Sequence, residues 1–149
     1  MVETMPLMVT VQEGASTVAG TGLLDIVVPY TTPRLTRLAL REAEELALKL
    51  PSRIRILRML AVPFPLDLRD PPVALDVVRE QTRQVARGIA AAEIVLFLTR
   101  DPEAALLKIL RPGSIVVIAS KKRWWRTAQE RLQRTCTRHG HQVALVYSR

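Results

Sequence analysis

From Leu23 onward, short apolar runs alternate with longer stretches in which apolar residues recur every three or four positions. That alternation separates strands from amphipathic helices. The first run, Leu23 to Val28, is short and β-branched, as a buried strand requires. In the turn Pro29-Tyr30-Thr31-Thr32-Pro33, a Thr side chain can cap a helix whose first position is a proline. The spacing predicts a helix from near Pro33 that buries Leu35, Leu38, Ala39, Leu46 and Leu50 and ends at Pro51. Arg41, Glu45 and Lys49, four apart, fall on its exposed side.

The second run, Ile54 to Val62, is interleaved with Arg53, Arg55 and Arg58, which predicts a less central strand with some solvent contact. Asp70-Pro71 repeats the helix-start chemistry, with Val73, Val77, Gln81, Val85 and Ile89 as the inward stripe. Ile94 to Leu98 reads as a third strand. Asp101-Pro102 then opens a third helix through Ala105, Leu106, Ile109 and Leu110, which Arg111-Pro112-Gly113 stops. Ile115 to Ala119 is the fourth and most apolar strand, followed by a basic helix to about His139 with Gly140 as its left-handed stop. Val143 to Tyr147 closes the chain as a fifth strand. Residues 1–22 lack sustained periodicity and read as a tail, although Leu7 to Val11 is a candidate added edge strand; residues 23–149 read as one domain.

Strand and helix in regular alternation predict an α/β fold: right-handed crossovers, a parallel sheet, and helices on both faces in a three-layer α/β/α sandwich of Rossmann-like type. The length of 149 residues suits one such domain, and 48% hydrophobic content suffices for its core. Charge adds a partner class rather than a fold: 22 Lys plus Arg against 14 Asp plus Glu give +8, which favours acidic partners. The single Cys136 cannot close an internal disulfide, so a reducing cytoplasm is the expected compartment. Glu3 stands where a secretory signal carries a cation, and no apolar run approaches the ~20 residues of a membrane span.

Several of these segments together resemble the universal stress protein family over roughly Leu23 to Ser148. The first strand ends in Val28-Pro29, the third is followed by Arg100-Asp101-Pro102, and the end runs Ile115-Val116-Val117-Ile118-Ala119-Ser120, basic turn, helix, then Val143-Ala144-Leu145-Val146-Tyr147. The resemblance implies a five-stranded parallel sheet of order 3-2-1-4-5, counted from Leu23, of the adenine nucleotide alpha hydrolase-like kind. Nucleotide-binding members carry Gly-x2-Gly-x9-Gly-Ser/Thr after strand four and an Asp after strand one. Here Ala119 and Lys122 stand at the first two glycines, the stretch after Trp124 is too short for the third, and Thr31 takes the acidic position. Glycines matter there because backbone N–H groups must approach a phosphate with no Cβ between them. The departures make ATP and AMP disfavoured ligands and no cofactor the expectation. Arg123-Trp124-Trp125 is also similar to the degenerate stress-protein-like tails of some bacterial amino-acid permeases.

In such a sheet a ligand crevice lies where the strand order reverses, between strands one and four. Its candidate residues are Tyr30, Thr31, Thr32, Ser120, Lys121 and Lys122. A helix N-terminus reinforced by Lys121 and Lys122 offers a nucleotide or other phosphorylated anion a place; a solvated basic turn is the plainer reading. Lys121, Lys122, Arg123, Arg126, Arg131, Arg134 and Arg138, with Trp124 and Trp125, resemble a nucleic-acid stripe, but Ala128, Leu132 and Cys136 give the same helix an ordinary inward face. His139 and His141 have no ligand partner at metal spacing, and no arrangement of nucleophile, base and acid suggests an enzyme. The last strand is a sheet edge, and in the resembled family it commonly mediates a twofold dimer. Val143, Leu145 and Tyr147 are the alternating face expected to do so here. The expected function is therefore a divergent, non-catalytic stress-response or regulatory domain that works through a homodimer or a protein partner.

Overall fold

The computed structural model describes residues 7–11, 23–62, 74–89, 92–122 and 127–148. Among these, six strands, β1 (Leu7–Val11), β2 (Leu24–Pro29), β3 (Ser52–Ala61), β4 (Ala92–Thr99), β5 (Ile115–Lys121) and β6 (Gln142–Ser148), form one sheet in the order β1-β4-β3-β2-β5-β6. The last five are parallel. They reproduce the expected order 3-2-1-4-5, and β1 is added antiparallel against β4.

Among the described residues, four helices cover the sheet: α1 (Pro33–Lys49), α2 (Leu75–Val85), α3 (Pro102–Ile109) and α4 (Ala128–Arg138). Alternate residues of each strand point to opposite faces, so two cores form. Ile26, Val28, Ile54, Ile56, Ile94 and Val117 pack with Leu35, Leu40 and Val78 of α1 and α2. Val27, Leu57, Val95, Phe97 and Ile118 pack with Leu106 of α3 and Cys136 of α4. Burial on both faces is what makes these strands apolar at nearly every position.

Local chemistry starts and stops the helices largely as the sequence implies. The Leu35 amide donates to Thr32 Oγ1 (3.3 Å) and the Ala104 amide to Asp101 Oδ1 (3.2 Å), each ahead of a proline in the first turn. Gly113 and Gly140 adopt φ of +85° and +86° after α3 and α4. Four expectations are corrected. Leu50 is not an inward residue: it leaves the helix in extended conformation as the C-cap and is 42% exposed. The α1 face instead buries Thr36, Leu40 and Ala43.

The α2 stripe is one residue out of phase at two positions, since Val78 and Thr82 are buried while Val77 is 52% exposed and Gln81 is also exposed; Val85 is buried and Ile89 packs against the core as expected. Its described first residue is Leu75, with Ala74 as a cap that has no side-chain bond; the Asp70-Pro71 start and Val73 lie outside the described residues. Thr82 is polar, yet its Oγ1 donates to the Val78 carbonyl within the helix (2.8 Å), which permits burial. In α4, Ala128 is exposed and Cys136 is the buried residue.

The fourth correction concerns β3, expected to be a less central strand: it lies inside the sheet, paired with β2 over residues 52–57 and with β4 over residues 54–61. Two of its three arginines, Arg53 and Arg55, are matched by carboxylates from the strands beside it. Arg53 Nε bonds Asp25 Oδ1, Arg55 lies 3.9 Å from the other Asp25 oxygen, and Arg55 Nε lies 3.5 Å from Glu93. The Asp25 bond raises the Arg53 pKa further above its ordinary value against the opposing cost of burial.

Candidate functional site

The crevice forms where the sheet reverses its order. The β2–β5 ladder holds at Ile26↔Ile115 and Val27↔Val116, after which β2 continues along β3 and β5 along β6. The two strands therefore part at their carboxyl ends, with Tyr30, Thr31 and Thr32 on one bank and Ser120, Lys121 and Lys122 on the other.

The β5 bank is closed by its own hydrogen bonds. Ser120 is fully buried, and its Oγ lies 2.7 Å from Oγ1 of Thr127. Thr127 Oγ1 accepts from the Glu130 amide (3.2 Å), so the α4 N-cap is occupied from within. α4 begins at Ala128, not directly after the strand, so Lys121 and Lys122 do not stand in its first turn. Both lysines are exposed. Arg123, Trp124, Trp125 and Arg126 lie outside the described residues, so of the basic stripe only Lys121, Lys122, Arg131, Arg134 and Arg138 are placed, all exposed.

The β2 bank borders a groove of about 680 Å³ whose described lining comes from the β2 end, β3, α1 and α2 and includes no β5 residue. Tyr30 extends the β2–β3 ladder by donating its amide to the Leu57 carbonyl (2.8 Å), which sets it beside Arg58. The Arg58 guanidinium carbon sits 3.6 Å from the Tyr30 ring centroid, a cation–π contact. The Thr31 amide donates to Thr36 Oγ1 (3.0 Å), and Thr32 caps α1. Among the described residues, Arg34 and Arg37 of α1 and Gln81 and Gln84 of α2 add to the polar lining. Arg37 Nη1 donates to the Val85 and Arg87 carbonyls, each at 3.0 Å, and ties α1 to the end of α2. Thus three of the six candidate residues, Tyr30, Thr31 and Thr32, line the groove, and Ser120, Lys121 and Lys122 do not.

Sequence reasoning missed Arg34, Arg37 and Arg58 as groove residues. Arg58 was legible only as one of several strand arginines, and the pairing of Tyr30 with Leu57 that sets it over the ring is a register, not a motif.

The remaining chemistry is structural. Cys136 is buried, and burial, with the charge of Glu103, pushes its thiol up to about 11. His139 is the α4 C-cap residue and its Nδ1 lies 2.8 Å from the Thr135 carbonyl. Among the described residues, no group of three or more His, Cys, Asp or Glu is placed to hold a metal, and no helix is long and apolar enough to cross a membrane.

No protein-family model matches the chain, and no curated protein matches it either. Solved structures do. A universal stress protein from Archaeoglobus fulgidus superposes with a TM-score of 0.61 at 16% identity, covering 83% of this chain and 93% of that one. A member of the universal stress protein family from Burkholderia pseudomallei gives 0.55 at 22% identity, covering 85% and 98%. A universal stress protein in complex with cAMP gives 0.53 at 16% identity, covering 83% and 95%. With its five-stranded parallel sheet of order 3-2-1-4-5 and helices on both faces, the chain has the fold of the universal stress proteins.

Proposed function

We propose that the protein is a non-catalytic regulatory domain of the universal-stress-protein type that does not hold ATP and acts in the cytoplasm, in stress response or regulation, by self-association or through a protein partner. The observation that carries the reading is the closed β5 bank: Ser120 is buried against Thr127, and Ala119 and Lys122 stand where a phosphate cradle needs bare backbone. A buried, undissociated Cys136 and a buried Ser120 offer no nucleophile, which supports a role without catalysis.

Self-association is assigned to the β6 edge, where Val143, Ala144, Leu145 and Val146 are only partly buried and Tyr147 is 47% exposed. Val143 and Leu145 also pack toward α4, so the edge backbone and Tyr147 supply the pairing surface. Light scattering at micromolar concentration should give twice the chain mass, and a monomer there rejects this part.

A second reading keeps a nucleotide or another phosphorylated anion in the crevice between β2 and β5, without the glycines. The cAMP carried by one neighbour of the same fold favours it. Calorimetric titration with ATP, AMP and cAMP separates the two. Saturable micromolar binding that is lost in a Lys121→Ala/Lys122→Ala double variant establishes the second reading and removes the first.

A further inference from the structure

The groove beside Tyr30 gathers three arginines, Arg34, Arg37 and Arg58. Elsewhere the partly buried arginines Arg53, Arg55, Arg79 and Arg83 each face a carboxylate: Asp25, Asp25 with Glu93, Asp76 and Glu80. Among the described residues, Arg34, Arg37 and Arg58 of the groove make no ion pair, and no Asp or Glu belongs to its lining. The three differ in what holds them. Arg37 is committed to two backbone carbonyls, Arg34 is exposed at the first turn of α1, and Arg58 is held only by the face of Tyr30.

Arg58 is the informative one. Its Nη1 is enclosed by protein and has no hydrogen-bond partner. A guanidinium carries five donors in a planar fork, and shielding one from water without an acceptor is unfavourable. The Tyr30 ring satisfies the positive charge in part but accepts none of those hydrogens well. The group that repairs the deficit is an oxyanion, which a guanidinium grips through two parallel hydrogen bonds. The Thr31 and Thr32 hydroxyls and the Gln81 and Gln84 amides beside it are suited to the uncharged part of a small molecule.

We propose that the groove bounded by β2, β3, α1 and α2 binds a small organic anion whose single phosphate or carboxylate head is held by Arg58 and Arg34. This goes beyond the regulatory reading and does not use the β5 turn, so each can fail alone.

The test is calorimetry on the full chain at low salt with phenyl phosphate and benzoate, and with phenol as the neutral control. One or both anions should bind saturably, and which one binds identifies the head group. Arg58→Gln should weaken that binding at least tenfold and Arg34→Gln several-fold, while Lys121→Ala/Lys122→Ala leaves it unchanged. If circular dichroism shows Arg58→Gln unfolded, the exposed Arg34→Gln decides. The proposal is overturned if neither anion binds, if phenol binds as well as they do, or if the lysine pair and not the arginines governs affinity.

Discussion

The hydroxyls of Ser120 and Thr127 lie 2.7 Å apart and couple the last buried turn of β5 to the N-cap of α4. Thr127 serves two partners at once, since the same oxygen accepts from the Glu130 amide. Thr127→Ala removes the cap and strips Ser120 of its best partner, so the expected loss is about 1–2 kcal/mol. Urea denaturation of Thr127→Ala, Ser120→Ala and the double variant should show that the two losses do not add, because each removes the same bond. Additive losses would show that the pair is not coupled and that the bank is not closed in the way described.

Asp25 is the acceptor around which three arginines gather: Arg53, Arg55 and, at 4.0 Å, Arg111. Its side chain is 6% exposed, while Arg53 is 26% and Arg111 67% exposed. Removing a buried member of an ion pair leaves its partners uncompensated, so Asp25→Asn is expected to cost about 2–4 kcal/mol, less than a fully buried pair because Arg53 reaches solvent. Arg111→Gln, at the exposed end of the same cluster, should cost about 0.5 kcal/mol or less. Denaturant midpoints of the two variants check the contrast, and equal losses would count against a central role for Asp25.

That cluster also explains what was legible in the sequence and what was not. Period and caps gave the five parallel strands, because Val27, Val95 and Val116 have apolar neighbours at every step and Thr32 and Asp101 sit directly before prolines. The arginines of β3 misled, since charge in a strand ordinarily means solvent. Here it means Asp25 and Glu93 on the strands at either side, and a pairing across 28 residues leaves no local mark. Spacing of four from Val77 and Val85 predicts Gln81 inward, but the polar residue that α2 buries is Thr82, whose hydroxyl is satisfied inside its own helix. The crevice was legible by topology, yet its division into a closed β5 bank and an open Arg58 bank depends on side-chain bonds that spacing does not encode.

The β6 edge makes a separate prediction about assembly. Edge strands resist pairing when they carry a charge on the exposed positions. Tyr147 is such a position, and Tyr147→Lys is expected to weaken the proposed dimer at least tenfold without lowering the unfolding midpoint of the monomer. Sedimentation over a concentration series measures it. A dimer that persists unchanged in Tyr147→Lys would move the interface elsewhere.

Cys136 gives stability a dependence on alkaline pH. Buried on α4 against Leu106 and Val116, its thiol stays protonated until about 11, against an ordinary value of 9.0. In the unfolded chain the thiol ionises near its ordinary value, so between those two pH values the unfolded state holds fewer protons than the native one. By linkage, stability then falls as pH rises. The contribution is whole below pH 9 and is lost through about pH 11, an interval corresponding to about 2–3 kcal/mol. Lysines and tyrosines titrate over the same range in any variant, so the informative quantity is a difference. Cys136→Ala should be less stable than the parent at pH 7 by its lost packing, and the gap should narrow steadily from pH 9 to 11 because alanine has no proton to lose. Thermal melts of both proteins across that range read the gap directly. Parallel curves would mean that the thiol ionises no later in the folded protein than in the unfolded chain, and so that α4 does not seal it against the sheet.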